Sequence, residues 1–331
     1  MTPVDTAAVV IGRNEGERLE SSLRSVQRAG LPLVYVDSGS VDRSPDIASK
    51  LGVPLLELSP NRPFSAARAR NEGLDEVLRR WPGTRYVLFL DGDCVLQAGF
   101  ATAAAATFQE DAECAIVTGH LSERHPDASI YNRLCAIEWR SPAGRIENFG
   151  ALGGIMMARV SALNSVGGFN EQVIAGEDSE LGARLVLAGR SIIKIDQPMA
   201  THDVEMKTFR QWWTRAVRAG HSIAQRYALN GRSSLRDCRR EFFSTLAWGL
   251  ALPAAALVFA WPTHGLSLLL IGAYGILVWR VYRHYLRIGL QRSDAILGAQ
   301  FIVYAKFANL LGVVRYWLNS WRRQIRIIEY K

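Results

Sequence analysis

The chain has 331 residues, of which 49% are hydrophobic and 21% charged, with a formal net charge of +8; this excludes a disordered chain and an all-membrane protein, and fits two structural units of about 100 to 200 residues each. Residues 1–240 hold 29 basic and 28 acidic side chains, whereas residues 241–331 hold 10 and 3. A positive surplus confined to the most apolar quarter, with no basic-aromatic binding motif beside it, points to membrane lipids as partner and to no nucleic acid.

Short β-rich runs alternate with helical patterns from Ala7 to Gln197. The predicted strands are Ala7–Ile11, Leu33–Asp37, Val53–Leu56, Tyr86–Leu90, Ala115–Thr118, Ile155–Ala158 and Ile192–Ile195, with helical spacing over Glu17–Arg28, Ser65–Arg80 and Leu181–Ala188. This alternation predicts an α/β fold with a mostly parallel sheet, whose ligands bind at the carboxyl ends of strands. The four cysteines, Cys94, Cys114, Cys135 and Cys238, contain no CxxC pair, so neither a zinc site nor a disulfide framework is expected. The first residues lack the basic and long apolar regions of a secretory signal.

After Glu241 no Asp, Glu, Lys or Arg occurs until Arg280, a gap of 38 residues. A span takes about 20 residues, so two crossings are expected, over about 242–261 and 265–282, with Trp261–Gly265 as hinge. Arg239 and Arg240 precede them and Arg280, Arg283 and Arg287 follow, which predicts both flanks and the first 240 residues on the cytoplasmic side of an inner membrane. The third apolar stretch, about 295–314, contains Lys306 and is followed by a basic tail. It is expected to be re-entrant or interfacial, with Trp317, Trp321 and Ile328 at the headgroup boundary.

The chemistry concentrates at strand ends. In Tyr86-Val87-Leu88-Phe89-Leu90-Asp91-Gly92-Asp93 an apolar strand ends in two carboxylates two residues apart, which the strand's period of two turns to one side. Hard oxygen ligands there suit Mg2+ or Mn2+, although Asp-Gly-Asp also occurs in simple turns. The first strand ends in Gly12-Arg13-Asn14-Glu15, the second in Asp37-Ser38-Gly39-Ser40, and Ser65-Ala66-Ala67-Arg68-Ala69-Arg70-Asn71-Glu72-Gly73 comes before the fourth. Downstream lie Gly153-Gly154, Gly167-Gly168-Phe169-Asn170-Glu171 and Gly176-Glu177-Asp178-Ser179-Glu180.

With these motifs in this order, residues 5–225 resemble the family 2 glycosyltransferases, inverting enzymes of the GT-A fold that use nucleotide-sugar donors. The resemblance implies that Asp37 contacts the nucleobase, with Asn14 and Glu15 in the same nucleoside pocket and Arg70 and Asn71 flanking it. It implies Asp91 at the ribose or metal and Asp93 as the main metal ligand, with Glu177 beside the donor and Asp178 as catalytic base. A single base agrees with an in-line displacement whose leaving diphosphate is stabilised by metal; the plainer alternative for Glu177, Asp178 and Glu180 is complementation of a helix dipole. For His202, a metal ligand and a structural, hydrogen-bonded histidine remain open. Arg215 and Arg218 are candidates for neutralising the departing diphosphate. Processive synthases carry Gln followed three residues later by Arg-Trp. Here Gln211 is followed by Trp-Trp-Thr-Arg, which favours addition of a single sugar.

The expected organisation is a cytoplasmic GT-A domain over 1–225, a basic juxtamembrane connector over 226–241 and a helical membrane region over 242–331. The expected function is transfer of one sugar to a lipid-linked or membrane-proximal acceptor in polysaccharide or glycolipid synthesis. A polyprenyl phosphate acceptor and a non-catalytic membrane scaffold stay open beside it.

Overall fold

The computed structural model describes residues 5–147 and 152–322. The chain forms two compact units, Met1–His125 with Glu138–Glu205, and Pro126–Ile137 with Met206–Lys331. The expected basic tail beyond Arg322, including Ile328, lies outside the described residues.

Among the described residues, the first unit is built on a nine-stranded sheet. Its elements in chain order are β1 (Thr6–Gly12), α1 (Glu17–Arg28), β2 (Leu33–Asp37), α2 (Ser44–Lys50), β3 (Leu55–Glu57), α3 (Ala66–Arg80), β4 (Tyr86–Asp91), β5 (Cys94–Leu96), α4 (Phe100–Glu110) and β6 (Cys114–Glu123). After a segment that includes α5 (Ile130–Glu138) come β7 (Gly144–Arg145), β8 (Met156–Arg159), α6 (Val160–Ser165), α7 (Glu177–Leu187) and β9 (Ser191–His202). The strand order is β3-β2-β1-β4-β8-β6-β9-β5, with β7 paired to β9. β1 pairs in parallel with β2 and β4, and β6 with β9, while β8, β5 and β7 run antiparallel to their neighbours. The sheet is therefore mixed, and β5 and β7 are too short to have shown a pattern of their own.

The alternation within each strand sorts the core into two layers. Ala8, Val10 and Tyr35 face one side and pack with Leu19 and Leu23 of α1, Ala48 of α2 and Phe100, Ala104 and Phe108 of α4. Val9 and Val36 face the other side, where α3 lies so close that a Cβ on Gly73 would sit 2.4 Å from Val9 Cγ1. The side chain of Ser65 caps α3 by accepting from the Arg68 N–H at 3.1 Å. The chain turns back between β2 and β4 on either side of β1, and the loops after β1, β2 and β4 meet at this switch in strand order.

The second unit is helical. It comprises α5, α8 (Phe209–Asn230), α9 (Arg239–Leu246), α10 (Leu252–Val258), α11 (Ala273–Arg287) and α12 (Arg292–Trp321). A capping box starts α8, in which Thr208 Oγ1 accepts from the Gln211 N–H and Gln211 Oε1 accepts from the Thr208 N–H. Residues 226–230, expected in the connector, continue α8, and Arg226 is locked by a buried bidentate pair with Asp237. α9 passes through the π-helical stretch Ala247–Ala251 into α10, and the 3-10 turn Leu266–Gly272 leads into α11. Arg239–Val258, Leu266–Arg287 and Arg292–Trp321 are each long and apolar enough to cross a membrane. α12 runs unbroken for 30 residues, about 45 Å at 1.5 Å per residue, and takes in the whole of the third apolar stretch, 295–314.

Candidate active site

Two loops meet first. At the end of β2, Asp37 is buried, and its carboxylate accepts from the Tyr35 hydroxyl at 2.9 Å, the Ser40 hydroxyl at 2.6 Å and the Ser40 N–H at 2.7 Å. Burial and the neighbouring Asp37 carboxylate push the Tyr35 hydroxyl pKa up, so it remains a donor. At the end of β1, Asn14 adopts φ 56°, its N–H donates to Ser40 Oγ and its Oδ1 accepts from the Val41 N–H at 2.8 Å. The Glu15 N–H donates to Ser44 Oγ, and Asp42 accepts from the Gly16 and Ser44 N–H groups. The structure thus brings Asn14, Glu15 and Asp37 together, and gives Asp37 the additional work of setting the shape of its own loop.

At the end of β4 the arrangement centres on Arg70 of α3. Its guanidinium is 2% exposed and donates to Glu177 Oε1 at 2.6 Å and to Asp91 Oδ1 at 2.9 Å. It also stands 5.6 Å from the Phe169 ring centroid. Burial raises the Asp91 carboxyl pKa and the Arg70 charge opposes that rise, while Asp93 and Glu177 add to it. Gly154 has φ 77°, and a Cβ there would fall 2.6 Å from an Arg70 nitrogen, so the glycine makes room for the guanidinium. The Gly154 N–H donates to Asp178 Oδ2 at 3.1 Å. Asp178 and Glu177 are the first residues of α7, behind Gly176 at φ 71°. Glu180, the third acid, is taken up by Arg184, which also donates to the Val166 and Gly168 carbonyls. The acidic start of α7 therefore divides into two carboxylates facing Arg70 and Gly154 and one that holds the scaffold.

Asn71, next to Arg70, faces another way. Its amide pairs with both backbone groups of Phe169, each at 2.9 Å, and it latches α3 to the Gly167–Glu171 loop. Arg215 and Arg218 lie half-buried on α8 in the second unit.

A third group forms where β5 pairs with β9 and Cys94 stands opposite His202. His202 Nε2 is 3.3 Å from Asp93 Oδ2, and Cys94 Sγ donates to Asp93 Oδ1 at 3.3 Å. Ligand atoms of these three residues lie within 4.8 Å of one another, a group able to hold a metal ion. A carboxylate and an imidazole are suitable donors for a divalent cation such as Mn2+. Asp91 is turned to Arg70, with its Oδ1 engaged there. The other ring nitrogen, Nδ1, is 3.4 Å from Glu123 Oε2, and the Trp139 ring meets the imidazole edge-on at 4.8 Å. A buried carboxylate behind an imidazole fixes its tautomer and aim. Sequence reasoning missed Glu123, Cys94 and Trp139. Glu123 ends β6 and meets His202 only because β6 and β9 are parallel neighbours, and no local spacing signals that pairing.

Residues 8–166 match the family described as glycosyl transferase family 2. The match covers a little under half of the chain, which is similar to that family over these residues. Residues 135–208 also match a family described as the N-terminal domain of galactosyltransferase. The pre-mycofactocin glycosyltransferase of Mycobacterium tuberculosis (strain CDC 1551 / Oshkosh) is 24% identical over 235 residues, which are 66% of this chain and 47% of that protein. The chain therefore spans about half the length of the curated relatives it matches. Among solved structures, the mannosyltransferase PcManGT from Pyrobaculum calidifontis, in complex with GDP-Man and Mn2+, superposes with TM-score 0.64 at 20% identity, covering 96% of this chain and 88% of that one. S. aureus TarS 1-349 superposes with TM-score 0.51 at 14% identity, covering 97% and 92%. At these identities the likeness is one of fold, the GT-A arrangement. The three groups above lie around strand ends, where an α/β sheet binds its ligands.

Proposed function

We propose that the protein is an inverting, metal-dependent glycosyltransferase, attached to the cytoplasmic membrane, that moves one sugar from a nucleotide diphosphate donor to a lipid-linked or membrane-proximal acceptor. The observation that carries the reading is the single guanidinium of Arg70 joining Asp91, at the end of β4, to Glu177, at the start of α7. It ties the strand of the Asp-Gly-Asp motif to the loop that presents Asp178, so that the proposed donor groups and the proposed base belong to one site.

In this reading Asn14, Glu15 and Asp37 line the nucleoside pocket, Asp37 through a loop whose shape it already sets. Asp93 and His202 hold Mg2+ or Mn2+, with Asp91 beside them and Glu123 orienting the imidazole. A bound divalent cation supplies charge neutralisation to a diphosphate. Asp178 takes the proton of the acceptor hydroxyl, and its Oδ2 is steadied by the Gly154 N–H. Asn71 positions the Gly167–Glu171 loop, and Arg215 and Arg218 supply positive charge on α8. The two helical legs from Arg239 to Arg287 anchor the protein in the bilayer, with their arginine-flanked ends in the cytoplasm.

Membranes containing the protein, incubated with a panel of radiolabelled nucleotide sugars, test this directly. One donor is expected to give a lipid-extractable or glycan-linked product. Asp178→Asn is expected to abolish that product while metal-dependent nucleotide binding persists, and a fully active Asn variant overturns the assignment of the base. An anionic polyprenyl phosphate oxygen needs no base, so retained transfer to that acceptor alone would identify the phospho-sugar lipid reaction.

A further inference from the structure

α12 has the length and composition of a membrane crossing, but α5 and α8, which pack along it, do not. α8 runs beside it in the same direction. A Cβ on Gly220 would sit 2.1 Å from the Asn309 carbonyl oxygen, and one on Gly312 would sit 2.1 Å from that of Val217, so the two helices touch backbone to backbone. Trp212 meets the Phe301 ring at 4.8 Å, and Ala224 packs with Val313. At the other end, Arg133 of α5 donates to Asp294 and Ser293, and Ile137 packs with Leu290 and Ala295. From Ser293 to Val313, α12 is thus laid on α5 and α8.

α8 cannot accompany a helix through hydrocarbon. It carries Arg210, Arg215, Arg218 and Arg226 within 22 residues, and arginine is among the most unfavourable residues at the centre of a bilayer. The free side of α12 is a single stripe. Ile296, Tyr304, Leu311, Leu318 and Trp321 are all exposed and recur at helical spacing. Arg315 and Arg322 are exposed on the same part of the helix. Apolar and aromatic side chains interleaved with arginine are what an anionic headgroup boundary accepts. The legs of the hairpin meet α12 at its middle, Gly249 against the Lys306 carbonyl and Tyr274 against Phe307. Beyond that point Leu257, Phe259, Trp261 and Leu269 stand exposed.

We infer that α12 is not a third crossing: it lies in the plane of the membrane surface, with its Ile296–Trp321 stripe in the headgroup–acyl boundary of an anionic leaflet, and only the hairpin between α9 and α11 enters the hydrocarbon. Both ends of α12 then stay on the same face of the bilayer. The inference rests on the membrane-attached reading and not on the transfer chemistry, so the test below reads the anchor alone.

Full-length protein in phosphatidylcholine vesicles with added phosphatidylglycerol is labelled with an environment-sensitive fluorophore at single introduced cysteines. The four native cysteines are buried, so exposed positions label selectively. Ile296→Cys, Tyr304→Cys, Leu311→Cys and Leu318→Cys are expected to be quenched equally and only by lipids with a shallow quencher, while Leu257→Cys is quenched by a deep one. Deep quenching at Tyr304 and Leu311 between shallow ends would show a crossing and overturn the inference; so would no quenching at any α12 position. Removal of phosphatidylglycerol is expected to weaken the α12 quenching, and unchanged quenching would overturn the anionic leaflet as partner. Donor turnover measured on the same vesicles separates failure of the anchor from failure of the enzyme.

Discussion

Replacing Arg70 by Met tests the centre of the site. The substitution keeps most of the volume and removes the charge that Asp91 and Glu177 share. Glu177 is buried, whereas the Asp91 side chain is 34% exposed, so water screens part of the second pair and most of the cost falls on Glu177. Removing one partner of a buried pair costs about 3–5 kcal/mol, because the other charge is left without compensation. For a domain of about 150–250 residues each kcal/mol lowers the melting temperature by about 2–4 °C, so Arg70→Met is expected to lower it by roughly 6–20 °C. The informative comparison is the double variant. Glu177→Gln removes the stranded charge, so Arg70→Met/Glu177→Gln should be more stable than Arg70→Met alone, with a coupling of about 1–3 kcal/mol. Thermal unfolding of the purified protein, monitored alongside nucleotide binding, measures both. Additive effects of the two substitutions, or a loss below about 1 kcal/mol for Arg70→Met, would refute the view that one guanidinium joins the two segments.

Further outcomes can be checked in the same preparations. Asp178→Asn should lower turnover by about 10²–10⁴-fold, the range for loss of a positioned general base, with nucleotide affinity unchanged in a titration. Asp93→Asn and His202→Ala should each weaken nucleotide binding in the presence of Mn2+ and leave metal-free binding unaltered; calorimetry with and without a chelator distinguishes the two. Glu123→Gln, which acts through the imidazole, should weaken metal affinity about 10–100-fold, and an unchanged affinity would reduce Glu123 to a structural role. Gly154→Ala must place a methyl where an Arg70 nitrogen now lies, at a backbone angle that favours glycine, and should destabilise by about 1–3 kcal/mol, read as a fall in melting temperature. Asn71→Ala should raise KM for the donor more than it lowers melting temperature, since its amide holds only the Gly167–Glu171 loop.

Much of this protein was legible in the sequence because its determinants are local. The buried run Thr6–Gly12, the strand ending at Asp91 and the amphipathic α1 each show their period within a dozen residues, and the apolar stretch between Glu241 and Arg280 stands out as a candidate membrane segment by the absence of charge alone. The motif residues after β1, β2 and β4 were legible for the same reason: strand periodicity locates strand ends, and strand ends are where such sheets bind ligands. What each side chain does there depends on which segments become neighbours, and that only the tertiary structure decided. Arg70 meets Glu177 across 107 positions of sequence and His202 meets Glu123 across 79. Asp37 ties its own loop, Asn71 grips Phe169 and Glu180 holds Arg184. α12 gives the same lesson in the second unit. Lys306 and the basic tail already set it apart from a plain crossing in the sequence, and the arginine-bearing α8 pressed against Gly312 supplies the packing that argues against one. Periodicity and charge are written residue by residue along the chain, whereas pairing, desolvation and shared protons arise only when distant residues are brought within a few ångströms.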